Sequence, residues 1–150
     1  MQTTPVLVEA KISNFIGVLT LNNPAKHNSL SKQVLDELCT GLQNMRAHDV
    51  RVVILRAPAG SKVFSSRHDV RELPTNGRDP LTYGDPLRHA VRKIEQFPAP
   101  VIALIEGSVW GGACELVMSC DILIAGDDTT FAITPAKLGV RTTSRECKIF

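Results

Sequence analysis

Residues 100–120 limit the possible folds of this chain more than any other segment does. An apolar, strand-like run at 100–107 is followed by Gly111 and Gly112, and a helix-like run begins at Ala113. A strand that turns into a helix over two glycines leaves bare backbone N–H groups at the first turn of the helix, where they can meet an anion. The segment therefore predicts an α/β arrangement with a place suited to a carbonyl oxygen that becomes negative during a reaction.

The periodicity of apolar residues extends this prediction to the rest of the chain. Ser31 is a good N-cap for a helix, and 13–15 is turn-like between two strands, so a hairpin is expected there. Prolines and glycines recur throughout 58–86, so this segment is expected to be irregular. The expected strands are 6–12, 16–21, 51–56, 101–106, 122–125 and 131–133, and the expected helices are 32–47, 87–96 and 111–120.

Composition limits the class of protein. The chain has 150 residues, which fits one domain, and 43% of them are hydrophobic, so a packed core is expected. A net charge of +2 is too small to indicate nucleic acid or an anionic membrane as a partner. No run reaches the roughly 18 apolar residues needed to span a bilayer, and the N-terminus shows no secretory signal.

The cysteines indicate a reducing compartment. None of the four forms a CxxC pair, and the four histidines have no zinc-site spacing, so we expect no metal and free thiols in a cytoplasmic protein. The cysteines are Cys39, Cys114, Cys120 and Cys147, and the histidines are His27, His48, His68 and His89.

Four segments together resemble the crotonase, or enoyl-CoA hydratase/isomerase, superfamily. They are NPAKHNSL at 23–30, VFSSRHDV at 63–70, EGSVWGGACE at 106–115 and FAITPAKLGV at 131–140. The resemblance implies an α/β, crotonase-like spiral of strand–strand–helix units with two roughly perpendicular sheets, of which this chain is the N-terminal portion. It implies an acyl-CoA-binding core over 1–140, whereas 141–150 has neither helical nor strand periodicity and is expected to be an anomalous tail.

The amino-acid sequences of these segments are most similar to those of the subgroup of this family that decarboxylates methylmalonyl-CoA to propionyl-CoA. His68, the run at 107–113 and Thr134-Pro135 carry that similarity. The partner implied is an acyl-CoA thioester. No separate cofactor is implied, because CoA is part of the substrate. The family forms homotrimers or hexamers through C-terminal helices with no counterpart here, so exposed apolar surface is expected where they would pack.

The resemblance also assigns roles to individual residues. The backbone N–H groups of His68 and Gly112 would hold the thioester oxygen, and Glu115 lies where hydratases keep one acid/base glutamate. The second hydratase glutamate falls at Pro135, which cannot move a proton, so decarboxylation is favoured over hydration. The residues expected to contact substrate or CoA are Lys26, Ser66, Arg67, His68, Asp69, Val70, Gly112 and Thr134.

Other interpretations of these residues remain open. The glycine pair can serve tight strand–helix packing, Glu115 can be a charge that stabilises a helix N-terminus, and Lys26 can be a solvated loop residue. The His68 side chain can act as a general base in place of its backbone.

Two departures from the family pattern affect the expected activity. Arg67 stands where most members have glycine, and Thr142 stands where the decarboxylating subgroup has tyrosine. The alternative functions are therefore an enoyl-CoA hydratase or isomerase, a truncated inactive fragment that binds CoA, and an unrelated structural α/β domain.

Overall fold

Strands and helices alternate along the chain in the computed structural model, which describes residues 5–66 and 84–133. The mixed α/β class expected from the sequence is confirmed. The strands are β1 (Val8–Ser13), β2 (Ile16–Leu21), β3 (Val52–Arg56), β4 (Val63–Ser66), β5 (Val101–Ile105), β6 (Ser108–Trp110), β7 (Ile122–Ala125) and β8 (Thr130–Ala132). The helices are α1 (Lys32–Ala47), α2 (Pro86–Glu95) and α3 (Gly112–Met118), with a short 3-10 helix at Pro24–Lys26.

The strands form two sheets. The first has the order β1-β2-β3-β5-β7, with β1 antiparallel to β2 and all other pairs parallel. The second has the order β4-β6-β8 and is parallel throughout. Strands β3, β5 and β7 of the first sheet are each followed in sequence by a strand of the second, and α2 and α3 then return the chain. The repeating unit is thus strand, strand, helix.

The hairpin predicted at the start of the chain is confirmed. β1 pairs with β2 through residues 8–13 and 16–21, and Asn14 and Phe15 make the turn with φ of 47° and 62°. Two left-handed residues between strands match the right-handed twist of a hairpin. The Arg51 guanidinium lies over the Phe15 ring, 5.0 Å from its centroid, and Phe15 accepts from Arg51 N–H at 2.8 Å. The turn is therefore held against the start of β3.

Helix α1 begins and ends at the residues predicted. Ser31 Oγ accepts from the Val34 N–H at 3.3 Å, which caps the helix. Glu37, on the same helix, accepts from the N–H groups of Leu7 and Val8 at 2.7 and 2.9 Å through one carboxylate oxygen. This carboxylate fixes the start of the edge strand to the helix. The buried stripe of α1 comprises Val34, Leu35, Leu38, Cys39, Gly41, Leu42 and Met45.

Two predictions of local structure were wrong in part, and one strand was missed. β4 lies inside 58–86, which we expected to be irregular. The strand expected at 101–106 is confirmed as β5, but β6, which follows it, was not predicted. The helix expected at 111–120 is shorter, at Gly112–Met118. β4 has four residues and β6 has three, so neither is long enough to show a periodicity of two.

Gly107 lets the chain cross from one sheet to the other. It has a φ of 77° between β5 and β6, and a Cβ there would lie 2.3 Å from the carbonyl carbon and oxygen of Lys62. The same carbonyl accepts from Ser108 N–H at 3.0 Å. Close approach of the two backbones therefore requires a residue without a side chain.

The described thiols are free, as predicted, and all three are buried: Cys39, Cys114 and Cys120. Burial, and to a lesser degree the Asp121 carboxylate, raises the pKa of Cys120 to about 12. Burial is also the main cause that raises the pKa of Cys39 and of Cys114. These thiols are therefore protonated and unreactive near neutral pH. Cys147 lies outside the described residues.

Apolar side chains are exposed on strands of both sheets. Ile122 and Ile124 on β7 are 48% and 51% exposed, and Phe131 on β8 and Trp110 on β6 are also exposed. Within residues 5–66 and 84–133, no helix has the length and apolar character needed to cross a bilayer.

Candidate active site

The turn between β6 and α3 is held on two sides. Gly111 has φ and ψ of 61° and −129°, a conformation that favours glycine, and its N–H donates to the Ala132 carbonyl at 2.8 Å. The Gly111 carbonyl accepts from the Cys114 N–H at 2.9 Å. The Cys114 thiol lies 3.3 Å from the Val109 carbonyl oxygen. β8, β6 and the first turn of α3 thus fix the peptide plane that precedes Gly112.

Gly112 is the first residue of α3. The N–H groups of the first helical turn have no acceptor within the helix, and the partial positive charge of the helix end concentrates there. Such a group, in a turn of fixed geometry, can donate to an oxygen that gains negative charge in a transition state. The position of Gly112 is compatible with the donor role that the sequence predicts, and that role stays a prediction.

Glu115 lies in the same turn of α3 and is buried, with 5% of its surface exposed. Its neighbours in sequence, Cys114 and Leu116, are fully buried. A carboxylate near a helix N-terminus is stabilised by the helix dipole, whereas burial opposes its charge. A buried carboxylate beside a candidate oxyanion donor is a group that can take part in proton transfer.

The carboxyl end of β4 lies beside this turn. In the second sheet, Ser66 pairs with Trp110, the residue that precedes Gly111. Because β4 and β6 are parallel, their carboxyl ends point the same way, and the end of β4 at Ser66 therefore lies beside the residue that precedes the glycine turn. The register thus brings the start of one predicted oxyanion segment next to the other.

Lys26 lies in the loop that joins β2 to α1. It is exposed at the end of the short 3-10 helix. The loop contacts β4 directly, because the His27 carbonyl accepts from the Ser66 N–H at 2.9 Å. Ser66 is half-buried, and its backbone is engaged by the loop that carries Lys26. Two of the predicted CoA contacts, Lys26 and Ser66, are therefore near each other.

The remaining predicted site residues fall outside the described parts of the chain: Arg67, His68, Asp69, Val70 and Thr134. Their roles stay predictions, as do the inferences drawn from Pro135 and Thr142. In 5–66 and 84–133, no group of three or more His, Cys, Asp or Glu side chains is arranged to hold a metal ion.

Sequence reasoning missed the polar residues beneath the Lys26 loop. Asn28 is 2% exposed and Ser65 is fully buried, and both make hydrogen bonds at the junction with β4. Asn28 belongs to the first resembling segment, but nothing in that segment shows that its side chain is buried. The partner is distant in sequence, so the pairing was not visible from the segment itself.

Comparison with known proteins shows which family the chain matches. The family model described as enoyl-CoA hydratase/isomerase matches residues 11–146. The chain is 51% identical over 127 residues to methylmalonyl-CoA decarboxylase from Escherichia coli (strain K12), covering 85% of this chain and 49% of that protein. It is 31% identical over 136 residues to a probable enoyl-CoA hydratase from Bacillus subtilis (strain 168), covering 89% and 52%.

Comparison with solved structures confirms the crotonase-like fold expected from the sequence. A crystal structure of methylmalonyl-CoA decarboxylase complexed with 2S-carboxypropyl-CoA superposes with a TM-score of 0.91 at 45% identity, covering 98% of this chain and 56% of that one. Human enoyl-coenzyme A hydratase domain-containing protein 3 superposes with a TM-score of 0.78 at 30% identity, covering 89% and 53%. The chain spans about half the length of the relatives that it matches.

Proposed function

Since this chain belongs to the enoyl-CoA hydratase/isomerase family, we propose that it acts on an acyl-CoA thioester and decarboxylates methylmalonyl-CoA to propionyl-CoA. The observation that carries the proposal is the register of the second sheet, in which Ser66 lies opposite Trp110. This register supports an oxyanion hole formed by the N–H groups of His68 and Gly112. The 51% identity to a methylmalonyl-CoA decarboxylase supports the choice of substrate.

The chemistry requires little from side chains. The bond between the α-carbon and the carboxylate carbon breaks, CO2 leaves, and the electron pair of that bond forms a thioester enolate. The enolate oxygen carries the negative charge, which the N–H groups of His68 and Gly112 would stabilise. Protonation of the α-carbon then gives propionyl-CoA. No proton has to be removed for CO2 to leave, so a single glutamate in the site is compatible with this reaction.

Glu115→Gln distinguishes decarboxylation from hydration. We expect the variant to keep decarboxylation of methylmalonyl-CoA within about ten-fold of the parent chain, because bond cleavage needs no acid or base. A hydratase that lost its acid/base carboxylate would lose about 10²–10⁴ in rate. The measurement is kcat for both reactions, with circular dichroism to confirm folding. A loss of decarboxylation of more than about 100-fold in folded Glu115→Gln would show that the carboxylate moves a proton in this reaction.

Hydration or isomerisation of an enoyl-CoA is the second candidate. The burial of Glu115 beside Gly112 favours it, because an acid/base glutamate is what that chemistry uses. A third candidate is a fragment that binds CoA without turnover, since the chain spans about half the length of its relatives. In each case Lys26, Ser66, Arg67, Asp69, Val70 and Thr134 remain the proposed contacts to CoA or substrate.

The wider context follows from the same proposal. We propose that the protein needs no cofactor beyond the CoA of its substrate, works in the cytoplasm and assembles as a homotrimer or hexamer. The buried, protonated thiols of Cys39, Cys114 and Cys120 suit a reducing compartment.

The test of the proposed function is loss of methylmalonyl-CoA and gain of propionyl-CoA, followed by liquid chromatography. Crotonyl-CoA, an enoyl-CoA, is the comparison substrate, and calorimetric titration with CoA measures binding. Turnover of methylmalonyl-CoA alone supports the proposal, and turnover of crotonyl-CoA alone supports the second candidate. Tight CoA binding by folded protein without turnover of either would overturn both.

A further inference from the structure

Asn28 makes an unusual set of contacts for a loop residue. It is buried and left-handed, with a φ of 50°. Its Oδ1 accepts from the Asn23 N–H at 2.8 Å, and its Nδ2 donates to the Phe64 carbonyl at 3.1 Å. Its own carbonyl accepts from the Ser65 hydroxyl at 2.6 Å. One residue therefore ties the beginning of the loop to β4.

Few residue types can make these contacts. The left-handed conformation favours glycine and asparagine, and only the asparagine amide also offers one donor and one acceptor in the same plane. Removing the amide would leave the Asn23 N–H and the Phe64 carbonyl without these partners. Loss of a partner by a buried polar group costs about 1–3 kcal/mol.

The two segments joined by Asn28 are the ones that the proposed function uses. The loop at 23–29 carries Lys26, and β4 ends at Ser66 opposite Trp110, one residue before the glycine turn. The His27 carbonyl adds a second tie through the Ser66 N–H at 2.9 Å. A shift of the loop relative to β4 would thus move a proposed CoA contact away from the proposed oxyanion edge.

We infer that Asn28 is a positioning residue that makes the loop at 23–29 and the carboxyl end of β4 one rigid unit. It thereby sets the distance between the proposed CoA contact at Lys26 and the edge of the sheet where the thioester is proposed to bind. The inference rests on the proposed function. Asn28, with 2% of its surface exposed, acts through the loop that carries Lys26 and through the carboxyl end of β4 at Ser66.

Asn28→Gly tests the inference, with Asn14→Gly as the matched control. Glycine keeps the left-handed backbone and removes only the amide. Asn14 has nearly the same φ, 47°, but lies exposed in the hairpin turn. We expect Asn28→Gly to raise KM for methylmalonyl-CoA and lower kcat, each by about ten-fold, as expected from loss of buried hydrogen bonds. Asn14→Gly should leave both constants within about two-fold, as is usual for exposed positions.

Amide exchange measured by NMR keeps the inference separate from the proposed function. Exchange at Asn23 and Ser66 should accelerate together in Asn28→Gly and stay unchanged in Asn14→Gly. If the parent chain turns over no methylmalonyl-CoA, the proposed function fails, and joint acceleration still supports the rigid unit. Unchanged exchange, or unchanged kcat and KM in an active protein, overturns the inference. If Asn28→Gly does not fold, Ser65→Ala takes its place. This variant removes only the hydrogen bond from the Ser65 hydroxyl to the Asn28 carbonyl. The same measurements and the same criteria apply to it.

Discussion

Replacing Gly107 by alanine is expected to lower the free energy of unfolding by at least about 3 kcal/mol. The added Cβ would lie 2.3 Å from the Lys62 carbonyl carbon and oxygen, and the φ of 77° would be strained for any residue with a side chain. The Lys62 carbonyl cannot easily withdraw, because the Ser108 N–H holds it at 3.0 Å where the two sheets meet. Domains are typically stable by only about 5–15 kcal/mol, so a large share of stability would be lost.

Gly60→Ala separates the two causes of this loss. Gly60 has nearly the same φ, 75°, but a Cβ there would have no neighbour within 4 Å. Its substitution should therefore cost only the conformational penalty, about 1–2 kcal/mol. The measurement is urea unfolding followed by circular dichroism for the parent chain and both variants. Equal losses in the two variants would contradict a backbone clash at Gly107.

Long elements with a clear apolar period could be predicted from the sequence. α1 has a buried stripe over 16 residues and a serine N-cap, so its start and its buried face are marked locally. The hairpin was equally clear, because two alternating runs flank a turn at Asn14. In both cases the information lies within the element itself, and packing agrees with local preference.

Short strands could not be predicted in the same way. β4 and β6 pair with each other across more than forty residues of sequence, and each is too brief to show alternation. The run at 100–107 therefore looked like one strand, and only the conformation of Gly107 reveals the crossing between sheets. The pairing of Ser66 with Trp110, which brings the two site segments together, is a tertiary property of these short strands.

The candidate site was predictable to the extent that it is made of backbone. The glycine turn and the helix that follows it were evident from residue type, and the structure places Gly112 at the start of α3. Asn28 was missed because its partners at Phe64 and Ser65 are distant in sequence. Buried polar residues that hold the segments of a site in place are recognised by their burial, and a single sequence does not show which residues are buried.

Gly112→Pro is expected to lower kcat for the proposed decarboxylation by about 10²–10³, with little change in stability. Proline removes the backbone N–H that would donate to the enolate oxygen. It is well tolerated as the first residue of a helix, where the N–H has no intrahelical acceptor. A proline disfavours helical dihedral angles in the residue that precedes it. Gly111 has no Cβ, and its ψ of −129° lies outside the helical region, so its conformation is compatible with a proline at position 112. The variant therefore deletes one donor while α3 is kept.

Lys32→Pro is the matched control, since Lys32 is the first residue of α1, far along the chain from the glycine turn. It removes an N–H at the same helical position together with an exposed ion pair to Asp36, which is worth at most about 1 kcal/mol. Steady-state kinetics should show a loss of kcat in Gly112→Pro alone, with thermal unfolding temperatures of both variants near that of the parent. Because the enolate charge develops only in the transition state, the loss should appear in kcat while KM changes little. An equal loss of kcat in both variants, or none in folded Gly112→Pro, would show that this N–H does not stabilise the enolate.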